Sequence, residues 1–124
     1  MILGIGTDIV HIPRIKDSIE RGGGKFINRI FTQGEAEYCH RKKADPYPSF
    51  AARFAAKEAM IKCLAPDTKI SLKDIEISND PTGCPHFVIS DALGIALQKK
   101  GATRTYLSLT HDGEYSAAFV VLEG

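Results

Sequence analysis

Two carboxylates and a lysine are the side chains of this sequence best suited to hold a metal ion and a phosphate. Glu58 and Lys62 stand four positions apart in an alanine-rich segment, so a helix would place them on one face. Asp8 stands near the end of an apolar N-terminal stretch, where a carboxylate has to be solvated, paired or bound to a cation. If Asp8 and Glu58 converge, their oxygens suit Mg²⁺, which proteins often hold with one or two carboxylates and substrate phosphates. Lys62 would then reach a phosphate as a point charge.

Each of these residues also has an ordinary structural role open to it. Glu58 and Lys62 can form the ion pair that is common between positions i and i+4 of solvated helices. Asp8 can cap the helix that we expect to begin near Pro13. The spacing therefore predicts a magnesium site only if folding brings Asp8 and Glu58 together.

A second group of polar residues surrounds His111. Ser108 and Thr110 precede this histidine, and a histidine in a surface turn is the structural alternative. The sequence has no glycine-rich phosphate loop of the familiar kinds, because residues 4–10 (GIGTDIV) lack both the third glycine and the Lys-Ser/Thr pair. Nucleotide-binding folds of the Rossmann and P-loop types are therefore disfavoured.

The elements that must position these residues begin with a predicted strand at residues 2–10. Alternate residues of a strand share a face, so Gly4, Gly6 and Asp8 would form one nearly bare face that lets another group approach the backbone. A helix with Pro13 in its first turn should follow, and the three glycines at 22–24 should stop it.

The strongest predicted helix spans residues 50–64, with Ser49 as its N-cap and Pro66 beyond its end. Ser90 or Asp91 should cap another helix that ends before Gly101. The remaining predicted elements are a helix at 33–43 and strands at 70–78, 86–89, 104–110 and 115–122, the last two joined through Asp112-Gly113. This order predicts an α+β fold, a single domain over residues 1–124 in which a mainly antiparallel sheet is packed with helices.

Composition narrows the function classes. The 124 residues include 44% hydrophobic and 25% charged side chains, which is typical of one globular domain. A net charge of +1 argues against nucleic acid or an anionic membrane as the main partner. The three cysteines lack metal-site or disulfide spacing, and no apolar run approaches the ~20 residues of a membrane span. We therefore expect reduced thiols and a cytoplasmic protein.

Four blocks of the sequence, in this order and spacing, resemble the holo-[acyl-carrier-protein] synthases, the short bacterial-type class of 4'-phosphopantetheinyl transferases. The blocks are residues 4–10 (GIGTDIV), 53–59 (RFAAKEA), 79–85 (NDPTGCP) and 108–115 (SLTHDGEY). The similarity extends over almost the whole chain, and it implies the 4'-phosphopantetheinyl transferase fold.

The resemblance implies a role for each candidate residue. Asp8 and Glu58 would be the Mg²⁺ ligands, and Glu58 and Lys62 the catalytic residues, with Lys62 on the diphosphate of coenzyme A. Four further residues would bind the coenzyme: Arg53, Pro85, Ser108 and His111. The family usually has glycine where this chain has Ala65-Pro66-Asp67, and lysine where it has Cys84, so the local loop and the charge near the coenzyme would differ.

The resemblance also implies partners and a reaction. Arg14 and Arg21 would dock the acidic recognition helix of an acyl carrier protein, and the chain would form a homotrimer with coenzyme pockets at subunit interfaces. A serine of the carrier would attack coenzyme A in fatty acid biosynthesis, and either Glu58 or a water on the metal would take its proton. Two alternatives stay open: a Mg²⁺-dependent phosphohydrolase, and a non-catalytic module that binds an acidic helix through Arg14 and Arg21.

Overall fold

The computed structural model describes residues 1–66 and 68–124. Strand β1 (Ile2–His11) pairs antiparallel with β5 (Tyr115–Glu123), which pairs antiparallel with β4 (Arg104–Asp112). A separate antiparallel pair consists of β2 (Glu76–Asn79) and β3 (Pro85–Val88). The predicted α+β fold is confirmed, although the strands form two small antiparallel sheets and not one.

Four helices pack with these sheets: α1 (Ile12–Ile30), α2 (Gln33–His40), α3 (Tyr47–Leu64) and α4 (Asp91–Lys100). Helix α3 lies against β1 and β5, and its small side chains Ala51, Ala55 and Ala59 are fully buried there. Small side chains allow the helix to approach the sheet closely, so α3 forms the centre of the core. Within the described residues, none of these helices is long and apolar enough to cross a bilayer.

The glycine face of β1 is where α3 comes closest to the sheet. A Cβ atom built on Gly6 would overlap the carbonyl oxygen of Ala59, and one on Gly4 would lie 3.1 Å from that of Cys63. The group that approaches the bare face is therefore helix α3. This contact fixes the strand that carries Asp8 against the helix that carries Glu58.

Three predicted boundaries were wrong. Helix α3 begins at Tyr47, with Pro46 as its N-cap, so Ser49 lies inside the first turn and is not the cap. The glycines at 22–24 kink α1 at Gly23 (φ 55°, ψ −140°), but the helix resumes and continues to Ile30. The predicted helix at 33–43 ends at His40.

The strand predicted at 70–78 is also wrong in its first half. Residues Leu72–Asp74 form a 3₁₀ turn, in which the side chain of Asp74 accepts hydrogen bonds from the backbone and the hydroxyl of Ser71. Such local side-chain bonds compete with strand pairing. The strand β2 therefore begins only at Glu76.

The caps and turns at the C-terminal end are confirmed. Ser90 accepts a hydrogen bond from the amide of Leu93 at the start of α4, and Gly101 ends that helix with φ 82°. Gly113 has φ 57° in the turn between β4 and β5. Of the Ala65-Pro66-Asp67 segment, Asp67 lies outside the described residues.

Candidate active site

A pocket of about 440 Å³ between β1, α1 and α3 contains both predicted metal ligands. Asp8 projects into it from β1 and Glu58 from α3; we call it the carboxylate pocket. The remainder of its lining is largely apolar, comprising Ile9, Val10, Ile15, Phe26, Ile30, Phe54 and Leu72 together with His11, Arg14 and Ser18. Folding thus brings Asp8 and Glu58 to one place, as the sequence hypothesis required.

The two carboxylates influence each other electrostatically. Burial raises the pKa of Glu58 above its ordinary value, the negative charge of Asp8 raises it further, and the positive charge of Lys62 opposes both. A raised pKa means that ionised Glu58 is disfavoured where it stands. A divalent cation between Asp8 and Glu58 would relieve that repulsion.

Lys62 is hydrogen-bonded to β1, the strand that carries Asp8. Its ammonium donates to the carbonyl oxygen of Thr7 at 2.8 Å and to Asp8 Oδ1 at 3.2 Å. Its partner is thus Asp8, whereas helix spacing alone suggested Glu58. The cap of α1 is His11, which makes no side-chain capping bond, so Asp8 does not have the capping role either. The Lys62 side chain remains 54% exposed, so it can also reach a ligand.

The donor set fits Mg²⁺ better than it fits a metal enclosed by protein. Among residues 1–66 and 68–124, no three side chains of histidine, cysteine, aspartate or glutamate cluster closely enough to hold a metal ion. Mg²⁺ needs only one or two carboxylates when phosphates and waters supply its other ligands. Asp8 and Glu58 provide that number of hard oxygen donors.

A second pocket, of about 230 Å³, contains three of the five residues expected to bind the coenzyme. Arg53, Pro85 and His111 line it, together with Tyr38, Asn79 and Thr110 among others; we call it the arginine pocket. Arg53 and Glu58 leave α3 less than two turns apart but enter different pockets. Ser108 lines neither; it lies exposed on β4, opposite Phe119 of β5.

Arg53 is held in place by contacts that the sequence did not reveal. It is only 3% exposed, its guanidinium donates to Asn79 Oδ1, and it lies 4.1 Å from the centre of the Tyr38 ring. Its buried Nε atom has no hydrogen-bond partner among the described residues. Tyr38 and Asn79 were missed because they come from α2 and β2, and no sequence spacing relates them to Arg53.

Arg14 and His11 also line the carboxylate pocket. Arg14 lines it, whereas Arg21, farther along α1, is exposed and is not part of its lining. His11 was missed, since no sequence motif marks it. Its Nε2 lies 3.4 Å from Glu114 Oε2, and its ring is 5.1 Å from that of Tyr115, so it links β1 to the turn between β4 and β5.

Comparison with known proteins gives one consistent family. The profile of the 4'-phosphopantetheinyl transferase superfamily matches residues 4–120. A holo-[acyl-carrier-protein] synthase of Koribacter versatilis is 42% identical over 125 residues, which cover 99% of both chains.

Solved structures agree with this match. The crystal structure of holo-[acyl-carrier-protein] synthase from Neisseria meningitidis superimposes with a TM-score of 0.89 at 36% identity, covering 100% of both chains. The Helicobacter pylori synthase, solved in complex with coenzyme A, gives a TM-score of 0.83 at 31% identity and covers 96% of this chain and 99% of the other. This chain therefore belongs to the 4'-phosphopantetheinyl transferase superfamily and, within it, to the holo-[acyl-carrier-protein] synthases.

Proposed function

We propose that this protein transfers the 4'-phosphopantetheine group of coenzyme A to a serine of an apo acyl carrier protein in fatty acid biosynthesis. The products are the holo-carrier and 3',5'-ADP. The observation that carries the proposal is the presence of Asp8 and Glu58 in one pocket, with Lys62 bonded to Asp8. Relatives named as holo-[acyl-carrier-protein] synthases, one of them solved with coenzyme A, support it.

Asp8 and Glu58 are the residues that would hold Mg²⁺. When bound, this ion supplies positive charge that neutralises the diphosphate and stabilises the charge developing on the leaving phosphate. Lys62, with an exposed ammonium beside Asp8, adds a second positive charge at the same place. The three side chains together would orient the diphosphate without forming a covalent bond to the substrate.

The nucleophile is the carrier serine. Its Oγ forms a bond to the phosphorus that bears pantetheine, while the anhydride bond to 3',5'-ADP breaks and Lys62 stabilises the leaving charge. The serine proton needs an acceptor in the pocket, and either Glu58 or a water on the metal would take it. The apolar lining beside Asp8 and Glu58 would limit the access of water to the reacting phosphorus.

The arginine pocket is the proposed site for part of coenzyme A. Arg53 offers a fixed guanidinium and His111 a polar ring to an anionic ligand, with Pro85 forming part of the wall. The carboxylate pocket would hold the reacting diphosphate. Within a single chain the two pockets share no lining residue. We therefore propose that the carboxylate pocket of one subunit and the arginine pocket of another together form each coenzyme site.

The outer face of the β1-β5-β4 sheet is the proposed contact surface between the subunits of a homotrimer. Ile5 is 69% exposed, Ile9 68% and Phe119 51%, and the antiparallel register places them on the side of the sheet that faces away from α3. Adjacent exposed apolar side chains of this kind mark interaction sites. Ser108 shares this face, so in the proposed trimer it would contribute to a coenzyme site of a neighbouring subunit. Light scattering should give three times the chain mass, and Ile5→Lys should lower it.

Arg14 and Arg21 are the proposed contacts to the acidic helix of the carrier. Arg14 lies at the carboxylate pocket, where the carrier serine has to arrive, and Arg21 lies farther along α1.

All three cysteines are free in the structure, and a cytoplasmic location stays a prediction from their number and spacing.

The release of 3',5'-ADP tests the reaction and its chief rival together. We expect chromatography to detect 3',5'-ADP only when coenzyme A, Mg²⁺ and the apo-carrier are all present. Release of 3',5'-ADP without the carrier would instead indicate a hydrolase. Binding of the carrier with no 3',5'-ADP released would indicate a non-catalytic module.

A further inference from the structure

A fully buried ion pair lies on the side of α3 that faces α2. Lys57 Nζ is 2.7 Å from Glu35 Oε1, and both side chains are completely shielded from solvent. Lys57 also donates to the carbonyl oxygens of Leu72, at 3.0 Å, and Ile75. Burial lowers the pKa of Lys57, and the charge of Glu35 opposes that effect. The mechanism proposed above uses neither residue.

Both carboxylate oxygens of Glu35 also accept hydrogen bonds from the backbone. Glu35 Oε1 accepts a hydrogen bond from the amide of Thr32, and Oε2 accepts one from the amide of Ile77, both at 2.9 Å. The pair thus bonds helix α2 to helix α3 and both helices to the start of β2. The two side chains together make four hydrogen bonds to the backbone, two from Lys57 and two to Glu35.

The same three elements hold Arg53. On α3, Arg53 stands one turn before Lys57; on α2, Tyr38 stands one turn after Glu35, and its ring lies under the Arg53 guanidinium. On β2, Asn79 follows Ile77 by two positions and accepts a hydrogen bond from Arg53. Every group that fixes Arg53 therefore lies on an element that the Glu35–Lys57 pair bonds together.

We infer that the buried Glu35–Lys57 pair positions Arg53, so that the arginine pocket is formed before coenzyme A binds. Lys57 and Glu35 are positioning residues, since neither can touch a ligand. The inference rests on the proposed role of Arg53 in binding the coenzyme. Loss of the Glu35–Lys57 pair should therefore weaken binding of coenzyme A more than binding of the carrier.

The test compares Lys57→Met with two other variants. Methionine keeps most of the length and volume of the lysine side chain and removes the charge. Arg53→Ala removes the proposed ligand contact itself. Leu93→Ala serves as the matched control, because Leu93 is fully buried in α4 and lines neither the carboxylate pocket nor the arginine pocket. Coenzyme A binding is measured by calorimetry, and KM by carrier modification, at a temperature where circular dichroism shows each variant folded.

We expect Lys57→Met to raise the Kd and KM for coenzyme A by about tenfold, with the KM for the carrier within about twofold of wild type. Leu93→Ala should leave both values unchanged. If Lys57→Met does not fold, Glu35→Gln serves in its place, because the amide keeps the side-chain shape and loses the charge. Equal values for the Lys57 or Glu35 variant and the Leu93 control would overturn the inference.

The outcome separates this inference from the proposed function. If wild type binds coenzyme A and Arg53→Ala does not, while Lys57→Met binds normally, only the positioning role is wrong. If wild type itself fails to bind coenzyme A, or Arg53→Ala binds as well as wild type, the proposed role of the arginine pocket is wrong.

Discussion

Lys62 and Asp8, 54 positions apart in the sequence, form an ion pair with 3.2 Å between Nζ and Oδ1. The ammonium of Lys62 is therefore paired with one of the two carboxylates that we assign to Mg²⁺. A cation that binds Asp8 has to compete with Lys62 or displace it toward the diphosphate. Before the substrates bind, Lys62 neutralises Asp8. During the reaction, it would stabilise the charge on the diphosphate.

Replacing Lys62 should separate these two roles. We expect Lys62→Met to bind Mg²⁺ several-fold more tightly in the absence of coenzyme A, because the competing ammonium is gone. Its turnover should nevertheless fall by about 100-fold, since the positive charge beside the diphosphate is lost. Calorimetric titration with Mg²⁺ and the rate of carrier modification measure the two effects. Weaker Mg²⁺ binding by the variant would show that Lys62 does not compete for Asp8.

Glu58→Gln should stabilise the metal-free protein at neutral pH. Because the pKa of Glu58 is raised in the folded chain, folded protein binds its proton more tightly than unfolded protein does. The contribution of Glu58 to the free energy of unfolding therefore falls as pH rises from its unfolded pKa to its folded pKa. Thermal melts in EDTA should give the variant the higher Tm at neutral pH, and a similar Tm below about pH 4, where Glu58 is protonated in both states.

Addition of Mg²⁺ provides the control for that comparison. The ion should raise the Tm of wild type by binding the folded state, and it should raise that of Glu58→Gln less. A variant that is less stable than wild type without metal would show that Glu58 has a structural role that its raised pKa does not reveal.

Gly6 should tolerate no side chain. The Cβ of Gly6→Ala would overlap the carbonyl oxygen of Ala59, so strand β1 and helix α3 would have to separate. We expect a loss of about 3 kcal/mol or more in the free energy of unfolding, measured by urea denaturation. Gly24→Ala is the matched control, because its Cβ meets nothing within 4 Å and it should be neutral or slightly stabilising. Equal stability of the two variants would contradict the close packing of β1 on α3.

The two arginines of α1 should differ in their effect on the carrier. Arg14 lines the carboxylate pocket and Arg21 does not, so Arg14→Ala should raise the KM for the carrier by about tenfold at low salt. Arg21→Ala should raise it by about twofold, and added salt should reduce both effects. The KM for coenzyme A should stay constant in Arg21→Ala. A larger effect of Arg21 would place the carrier farther along α1 than we propose.

Much of the fold follows from local signals in the sequence. The cap at Ser90, the left-handed glycines at 101 and 113 and the alanine-rich helix α3 are recognised from residues that act on their immediate neighbours. The 3₁₀ turn was missed because Ser71 and Asp74 form bonds within a stretch whose composition favours a strand. The continuation of α1 through the kink at Gly23 was not predicted, because a run of glycines is a local signal for the end of a helix.

The candidate site likewise contains residues that the sequence identifies and contacts that only the structure reveals. Asp8, Glu58 and Lys62 have residue types and spacing that indicate their chemistry, although only the structure shows that Lys62 pairs with Asp8. Arg53 owes its position to Tyr38, Asn79 and the Glu35–Lys57 pair, which are distant in sequence. Tertiary contacts of this kind leave no periodic pattern, so sequence analysis could not find them.

The most direct test of the central claim is the mass of an apo acyl carrier protein after incubation with this protein and coenzyme A. With Mg²⁺ present, intact mass spectrometry should show one added phosphopantetheine on the carrier. Asp8→Asn and Glu58→Gln should each slow this addition by about 100-fold or more, as should removal of Mg²⁺ by EDTA. An unmodified carrier with wild-type protein, or full modification by both variants, would contradict the account.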